Sequence, residues 1–148
     1  MPIPKKSSFT KGNARTRIPT MHKAGTVCQI LHTHVFDEAV TTADILEVLP
    51  LPSSARITNF MVSGEDIGAG GLAIGVMDGA FAAETDRSIA TPLFAAQAAN
   101  AQAAVPLATL GNIAKVADGG NLGIGVVPAT DIAAGSTKKL HFLIEYVA

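Results

Sequence analysis

Short runs of alternating apolar and polar residues recur along most of this chain and constrain its fold more than any other feature. Two of these runs are long, at 26–36 (TVCQILHTHVF) and at Lys139–Val147 (KLHFLIEYV). Successive side chains of a β-strand point to opposite faces, so an alternating run gives a strand one apolar and one polar face. Glycine, proline and aspartate, which are typical of turns, separate the runs. The pattern therefore predicts an all-β fold.

The other runs are shorter, and turn signals or prolines bound them. Pro50 should stop a strand at its C-terminal end, because proline cannot donate to a sheet ladder, and Asp118-Gly119-Gly120-Asn121 predicts a hairpin. The predicted strands are 26–36, 45–49, 56–63, 72–77, 112–117, 122–127 and Lys139–Val147. About seven or eight strands joined by short turns are typical of an antiparallel β-sandwich or jelly roll. Repeated βαβ units would need more helices than the sequence offers.

One alanine-rich stretch departs from the strand pattern. Residues 93–103 read LFAAQAANAQA, and alanine, leucine and glutamine favour helix. We predict one short helix there; the alternative is a long surface loop in extended form. Glycines 75, 123 and 125 fall inside predicted strands, where glycine usually marks a bulge or the close approach of another backbone.

The N-terminal part of the chain differs from the rest in charge and in apolar content. Residues 1–36 carry six basic side chains and no acidic one, whereas residues 37–148 carry five basic and twelve acidic side chains, giving charges of +6 and −7. The first 25 residues have too few apolar side chains to fold alone and reach on the order of 80 Å when extended. We therefore predict an extended basic arm (1–25) and a β-sandwich or jelly-roll domain (26–148).

A basic arm beside an acidic body suggests an interaction segment. We expect the arm to contact a neighbouring subunit or an acidic surface; the alternative is a solvated terminus without a partner. The candidate interface residues are Lys5, Lys6, Phe9, Lys11, Arg15, Arg17, Ile18 and Lys23. Nucleic acid is not an expected partner, because the arm lacks a dense basic run and the acidic body would repel phosphate.

The sequence offers little that predicts catalysis. His32 and His34 share a strand face and could bind one metal ion if the last strand pairs with the first and brings His141 close. No acidic residue completes this set by its spacing, and the acidic pairs Glu65-Asp66 and Glu84/Asp86 fall in predicted turns. We therefore predict no catalytic residue, no metal, no cofactor and no enzymatic activity; a metal-dependent, cupin-like enzyme using the histidines is the competing hypothesis.

The single cysteine and the hydropathy pattern bear on compartment. Cys28 cannot form an internal disulfide, and we interpret it as a small buried residue rather than a nucleophile. No apolar run is long enough for a membrane helix, and no secretion signal follows the basic N-terminus. We expect a soluble chain that is made in the cytoplasm and has no membrane partner.

The segment 41–79 resembles small capsid-decoration and head-auxiliary proteins of tailed bacteriophages. The resemblance lies in a short strand followed by Leu51-Pro52, in Ala55-Arg56-Ile57, in the acidic-glycine turn at 65–68, and in Asp78-Gly79. The closing run LHFLIEYVA is also similar, and the pattern covers most of residues 26–148.

This resemblance implies a non-catalytic virion protein. Such a protein would bind the outer surface of a phage capsid, cement neighbouring capsomers of major capsid protein, and associate with itself as a homotrimer. One alternative is a β-sandwich adhesion or glycan-binding module of a phage tail or fibre, which the low aromatic content of 5% disfavours. Another is a different shell role, as a minor or major capsid component, although 148 residues are few for a major capsid protein.

Overall fold

The computed structural model describes residues 27–52, 55–79, 87–112 and 122–147, together with the backbone of residues 4–6. This part of the chain forms nine β-strands and one short helix, α1, so the all-β prediction is confirmed. The elements are β1 Pro4–Lys6, β2 Val27–Val35, β3 Ile45–Leu51, β4 Arg56–Glu65, β5 Gly71–Asp78, β6 Ser88–Ala98, β7 Ala103–Ala104, α1 Leu107–Asn112, β8 Leu122–Pro128 and β9 Lys139–Val147. No helix in these ranges is long and apolar enough to cross a membrane.

The strands form two sheets with a nested order of pairing. One sheet has the order β2-β9-β4-β7 and the other β1-β3-β8-β5-β6. β2 pairs with β9, β3 with β8, β4 with β7 and β5 with β6, and all four pairs are antiparallel. A long hairpin folded over on itself produces this nesting, which is the topology of an eight-stranded jelly roll. The strand order therefore selects the jelly roll from the two sandwich folds that the sequence allowed.

Strand β1 is additional to the eight strands of the jelly roll and lies in the segment predicted as the N-terminal arm. It runs parallel to β3, with Pro4 opposite Ile45 and Lys6 opposite Glu47. It adds a three-residue edge strand next to β3 in the five-stranded sheet. Residues 1–3 and 7–25 of the arm lie outside the described residues.

The core lies between the two sheets and is built from the inward residues of each strand. β9 shows the predicted alternation clearly, because Leu140, Phe142, Ile144 and Tyr146 are fully buried while the residues between them are partly exposed. The ring of Phe60 on β4 packs against that of Phe142, with centroids 5.9 Å apart. Burial of such aliphatic and aromatic side chains is the main stabilising contribution to the fold.

The predicted helix at 93–103 is wrong. Strand β6 runs through Ala98 and pairs with β5, where Phe94 lies opposite Ile74. Leu93 is buried and Phe94 packs against the core, while Ala95 and Ala96 are exposed. Helix propensity is a weak preference that tertiary context overrides; here strand pairing, the burial of Leu93 and the packing of Phe94 against the core decide the conformation. The helix of the structure, α1, follows at Leu107–Asn112.

Two further predicted boundaries need correction or lie outside the structure. β3 continues through Pro50 to Leu51 instead of ending before the proline, and Pro50 lies opposite Gly123. The pairing of β3 with β1 ends at Glu47, so Pro50 lies on an edge part of the strand, where the missing N–H is tolerated. Asn112 ends α1, whereas the rest of the predicted strand 112–117 and the predicted hairpin 118–121 lie outside the described residues.

Candidate functional site

The histidines proposed as metal ligands do not meet. β2 pairs with β9, as the metal hypothesis requires, but Thr33 is the residue opposite His141. His141 Nδ1 lies 2.8 Å from Thr33 Oγ1, so His141 projects from the sheet face opposite to that of His32 and His34. Among the described residues no group of three or more histidine, cysteine, aspartate or glutamate side chains could hold a metal ion.

His32 and His34 belong to the interior instead. The ring of His34 packs edge-on against Phe36, with centroids 4.8 Å apart, and His34 is 2% exposed. Burial lowers the pKa of His32 below 6.5, because the charged imidazolium loses its hydration. Both side chains therefore act as packing residues of the β2–β9 pair.

Cys28 and Tyr146 form a second interior contact between the same strands. They lie opposite each other in the β2–β9 register, and the tyrosine is fully buried. Burial, with a smaller contribution from the neighbouring Cys28 thiol, raises the pKa of the Tyr146 hydroxyl to about 12. Cys28 itself is half-buried and packs against the core, in agreement with its predicted packing role.

A buried ion pair, which sequence reasoning missed, joins β3 to the start of β6. Arg87 Nε donates to Glu47 Oε2 at 2.9 Å, and its Nη2 donates to the other carboxylate oxygen. Both side chains are fully buried. Arg87 Nη1 also donates to the carbonyl oxygen of Gly79 at 2.7 Å. The guanidinium therefore ties the end of β5 and the start of β6 to β3.

A glycine on β8 makes room for this ion pair. A Cβ atom at Gly123 would lie 2.4 Å from Glu47 Oε1 and 2.9 Å from Arg87 Nη2. On the same strand, a Cβ atom at Gly125 would lie 2.6 Å from the Met77 side chain. The predicted close approach of another backbone is found at Gly75, where a Cβ atom would lie 2.6 Å from the Thr91 carbonyl oxygen, whereas the nearest atoms at Gly123 and Gly125 belong to side chains. The one available sequence signal for the pair was Glu47 itself, an acidic residue in an otherwise apolar strand.

The acidic pair Glu65-Asp66 lies at an exposed turn, as predicted. Asp66 has a φ of 53° and accepts a hydrogen bond from Thr137 Oγ1 at 2.5 Å. Glu65 Oε1 lies 3.4 Å from His141 Nε2, with both side chains partly solvated. The second pair, Glu84 and Asp86, lies outside the described residues.

The outward residues of β2, β9 and β4, which we call the outer face, carry an apolar row across the sheet. Leu31 on β2 lies opposite Leu143 on β9, and Leu143 lies opposite Met61 on β4. Leu31 is 78% exposed. These three residues and His141 form part of the lining of a shallow hollow of about 180 Å³.

A second apolar region lies at the far end of the outer face. Val27, 58% exposed, lies opposite Val147. Leu107 of α1 is 83% exposed, and together with Val147 and Leu110 it lines a hollow of about 570 Å³. In the part of the chain that the structure describes, the strongly exposed large hydrophobic side chains are Val27, Leu31 and Leu107, and all three lie at this sheet. Exposed apolar patches of this kind mark interaction surfaces.

The structure brings little of the candidate arm interface into view. Lys5 and Lys6 lie on β1, where Lys5 is opposite Leu46. Phe9, Lys11, Arg15, Arg17, Ile18 and Lys23 lie outside the described residues.

Comparison with known proteins gives matches by structure. No protein-family model matches the chain, and no curated protein sequence does. The fold is similar to a chain of the capsid of Ralstonia phage GP4, with a TM-score of 0.75, 25% sequence identity and coverage of 97% of both chains. It is also similar to a chain of the cyanophage Pam1 capsid asymmetric unit, with a TM-score of 0.51, 19% identity and coverage of 87% of this chain and 89% of that chain. The second likeness concerns the fold alone, whereas the first supports a structural role in the virion.

Proposed function

We propose that this chain is a virion structural protein that decorates the outer surface of a bacteriophage capsid and stabilises it by binding across neighbouring capsomers, without catalysing a reaction. The observation that carries the proposal is the similarity to a chain of the Ralstonia phage GP4 capsid over 97% of both chains. Coverage on this scale means that the two chains are close in length, so the jelly roll here corresponds to nearly all of a chain found in that capsid. A large shell-forming fold with this domain as a small insertion would not give such coverage.

The distribution of polar and apolar side chains in the described residues fits a structural subunit that acts by binding its neighbours. The interior is filled by aromatic and aliphatic side chains, and its polar groups make internal contacts such as the Glu47–Arg87 pair. Apolar side chains are exposed at one sheet. A subunit of this kind, present in many symmetric copies, gains strong total binding from individually modest contacts.

The proposed partners are the major capsid protein and other copies of the same chain, as a homotrimer. The charge difference between the basic residues 1–36 and the acidic remainder supports a role for the arm. Its lysines and arginines would bind an acidic surface of the shell or the acidic body of a neighbouring copy. Such a contact weakens as ionic strength rises, because salt screens exposed charges.

Copy number in the particle tests the proposal. We expect purified virions of the encoding phage to contain the chain in numbers comparable to those of the major capsid protein, when both are quantified by mass spectrometry. Particles from which the chain is stripped should lose their genome at a lower temperature, and adding back the purified chain should restore the original temperature. Absence from the virion, or a few copies confined to the tail as expected of an adhesion module, would contradict the proposal.

A truncated chain tests the role of the arm in the same assay. A variant without residues 1–25 should keep the jelly roll, measured by circular dichroism, but rebind stripped particles more weakly than the full chain. The triple variant Lys11→Ser, Arg15→Ser and Arg17→Ser removes charge without shortening the arm and should weaken rebinding in the same direction. Equal rebinding by all three proteins would show that the arm has no role at the shell.

A further inference from the structure

We propose that the outer face of the β2-β9-β4-β7 sheet is the surface through which copies of this chain contact one another. The inference rests on the self-association included in the proposed function and names the surface that carries it. It depends on three properties of the described residues: where the apolar side chains are exposed, how they are arranged, and how the charges around them are distributed.

The exposed apolar side chains form an organised surface rather than a scatter of single residues. The strand register places Leu31, Leu143 and Met61 side by side across three strands, and the exposed Ala104 continues the row on β7. Single exposed hydrophobic residues are common on protein surfaces, but a contiguous row that lines a hollow is typical of a protein–protein contact.

The charges on this face point to a second copy as the occupant. Residues 37–148 carry a net charge of −7, so two copies of this part of the chain repel each other overall. The outward positions of β2 carry no charged side chain. Those of β9 and β4 carry Lys139 and Glu145, and Arg56 and Glu65, two charges of each sign. Two copies can therefore approach through this face without the repulsion that their acidic surfaces cause elsewhere.

The charged residues also lie where a contact between copies tolerates them. Lys139 and Glu65 lie opposite each other at one end of the face, and Arg56 lies at the other end beside Val147. Nearer the centre, Glu145 accepts a hydrogen bond from Gln29 Nε2 at 2.8 Å. An apolar centre with a polar rim is the usual anatomy of a specific interface, and the centre here is the row through Leu143.

The test measures the oligomeric state of the purified full-length chain in the absence of any shell. Analytical ultracentrifugation should show a defined oligomer whose dissociation constant rises about tenfold or more in the Leu31→Lys variant, because a lysine would be placed at the apolar centre. Ala95→Lys, an equally large charge change at an exposed position of β6 on the other sheet, is the matched control and should leave the dissociation constant within about twofold of the wild type. Since Leu31 is largely exposed, the thermal unfolding midpoint of the variant should stay close to that of the wild type when both are measured at a concentration at which they are monomeric.

Salt dependence separates this surface from the arm. An apolar contact between copies should persist as ionic strength rises, whereas an arm bound to an acidic body should dissociate. A wild-type chain that is monomeric at high concentration, an oligomer that Leu31→Lys leaves intact, or equal weakening by Leu31→Lys and Ala95→Lys would each overturn the inference. None of these results bears on binding to the shell, because that is measured separately by rebinding to stripped particles. Failure of this inference and failure of the proposed function are therefore distinguishable.

Discussion

Replacing Arg87 with methionine should destabilise the fold by about 3–5 kcal/mol, the usual cost of removing one partner from a buried ion pair. Arg87 and Glu47 are both fully buried, and the guanidinium gives the carboxylate two hydrogen bonds and a third to the Gly79 carbonyl. Methionine fills much of the same space, so little of the cost comes from a cavity. What is lost is the cation beside a carboxylate that stays out of water.

The effect is large relative to the total stability of about 5–15 kcal/mol expected of a domain. For a chain of this length it corresponds to a fall of roughly 6–20 °C in the thermal midpoint. Urea unfolding followed by circular dichroism measures the change directly. Arg56→Met, at an exposed arginine on the outer face, is the matched control and should change stability by no more than about 0.5 kcal/mol.

A double variant separates the charge effect from packing. Glu47→Leu combined with Arg87→Met removes both charges, so it should recover much of the stability that Arg87→Met alone loses. The reasoning would be refuted if Arg87→Met cost less than about 1 kcal/mol. It would equally be refuted if the double variant cost the full sum of the two single changes, since independent residues add and a coupled pair does not.

Three further predictions concern the interior. Gly123→Ala should cost about 1–3 kcal/mol in urea unfolding, because its Cβ would lie 2.4 Å from Glu47 Oε1, while Gly111→Ala, which meets nothing within 4 Å, should not destabilise; equal effects would contradict this. Tyr146 should ionise near pH 12 in a titration of phenolate absorbance, which reports on it alone because the chain has one tyrosine and no tryptophan. Stability should fall from about pH 10 to about pH 12, since the unfolded chain loses this proton first, and a midpoint at the ordinary value of 10.0 would disprove the burial effect. His32 should titrate below 6.5 by nuclear magnetic resonance, and its contribution to stability, present above pH 6.5, should be lost as the pH falls below that value, because the unfolded chain takes up the proton first; a midpoint at or above 6.5 would argue against its burial.

The fold class and most strand positions could be predicted from local patterns. The alternation in Lys139–Val147 predicts which residues of β9 are buried, because side chains of a strand alternate whatever the strand pairs with. The charge difference between residues 1–36 and residues 37–148 is likewise a property of the sequence. The resemblance to phage capsid-decoration proteins agrees with the similarity to the Ralstonia phage GP4 capsid chain at the level of a capsid-related virion protein.

Only the tertiary structure decided the features that depend on register and on partner strands. Residues 93–98 form a strand because β5 pairs with them and the core accepts Leu93, a context that local propensity does not contain. A register in which Thr33, and not His32 or His34, lies opposite His141 places His141 on the other face of the sheet from His32 and His34. Glu47 and Arg87 are 40 residues apart in sequence and meet because β3 and β6 belong to the same sheet. The all-β fold and the charge difference along the chain could therefore be predicted from local pattern, whereas the buried ion pair and the apolar row on the outer face exist only through pairings between distant strands.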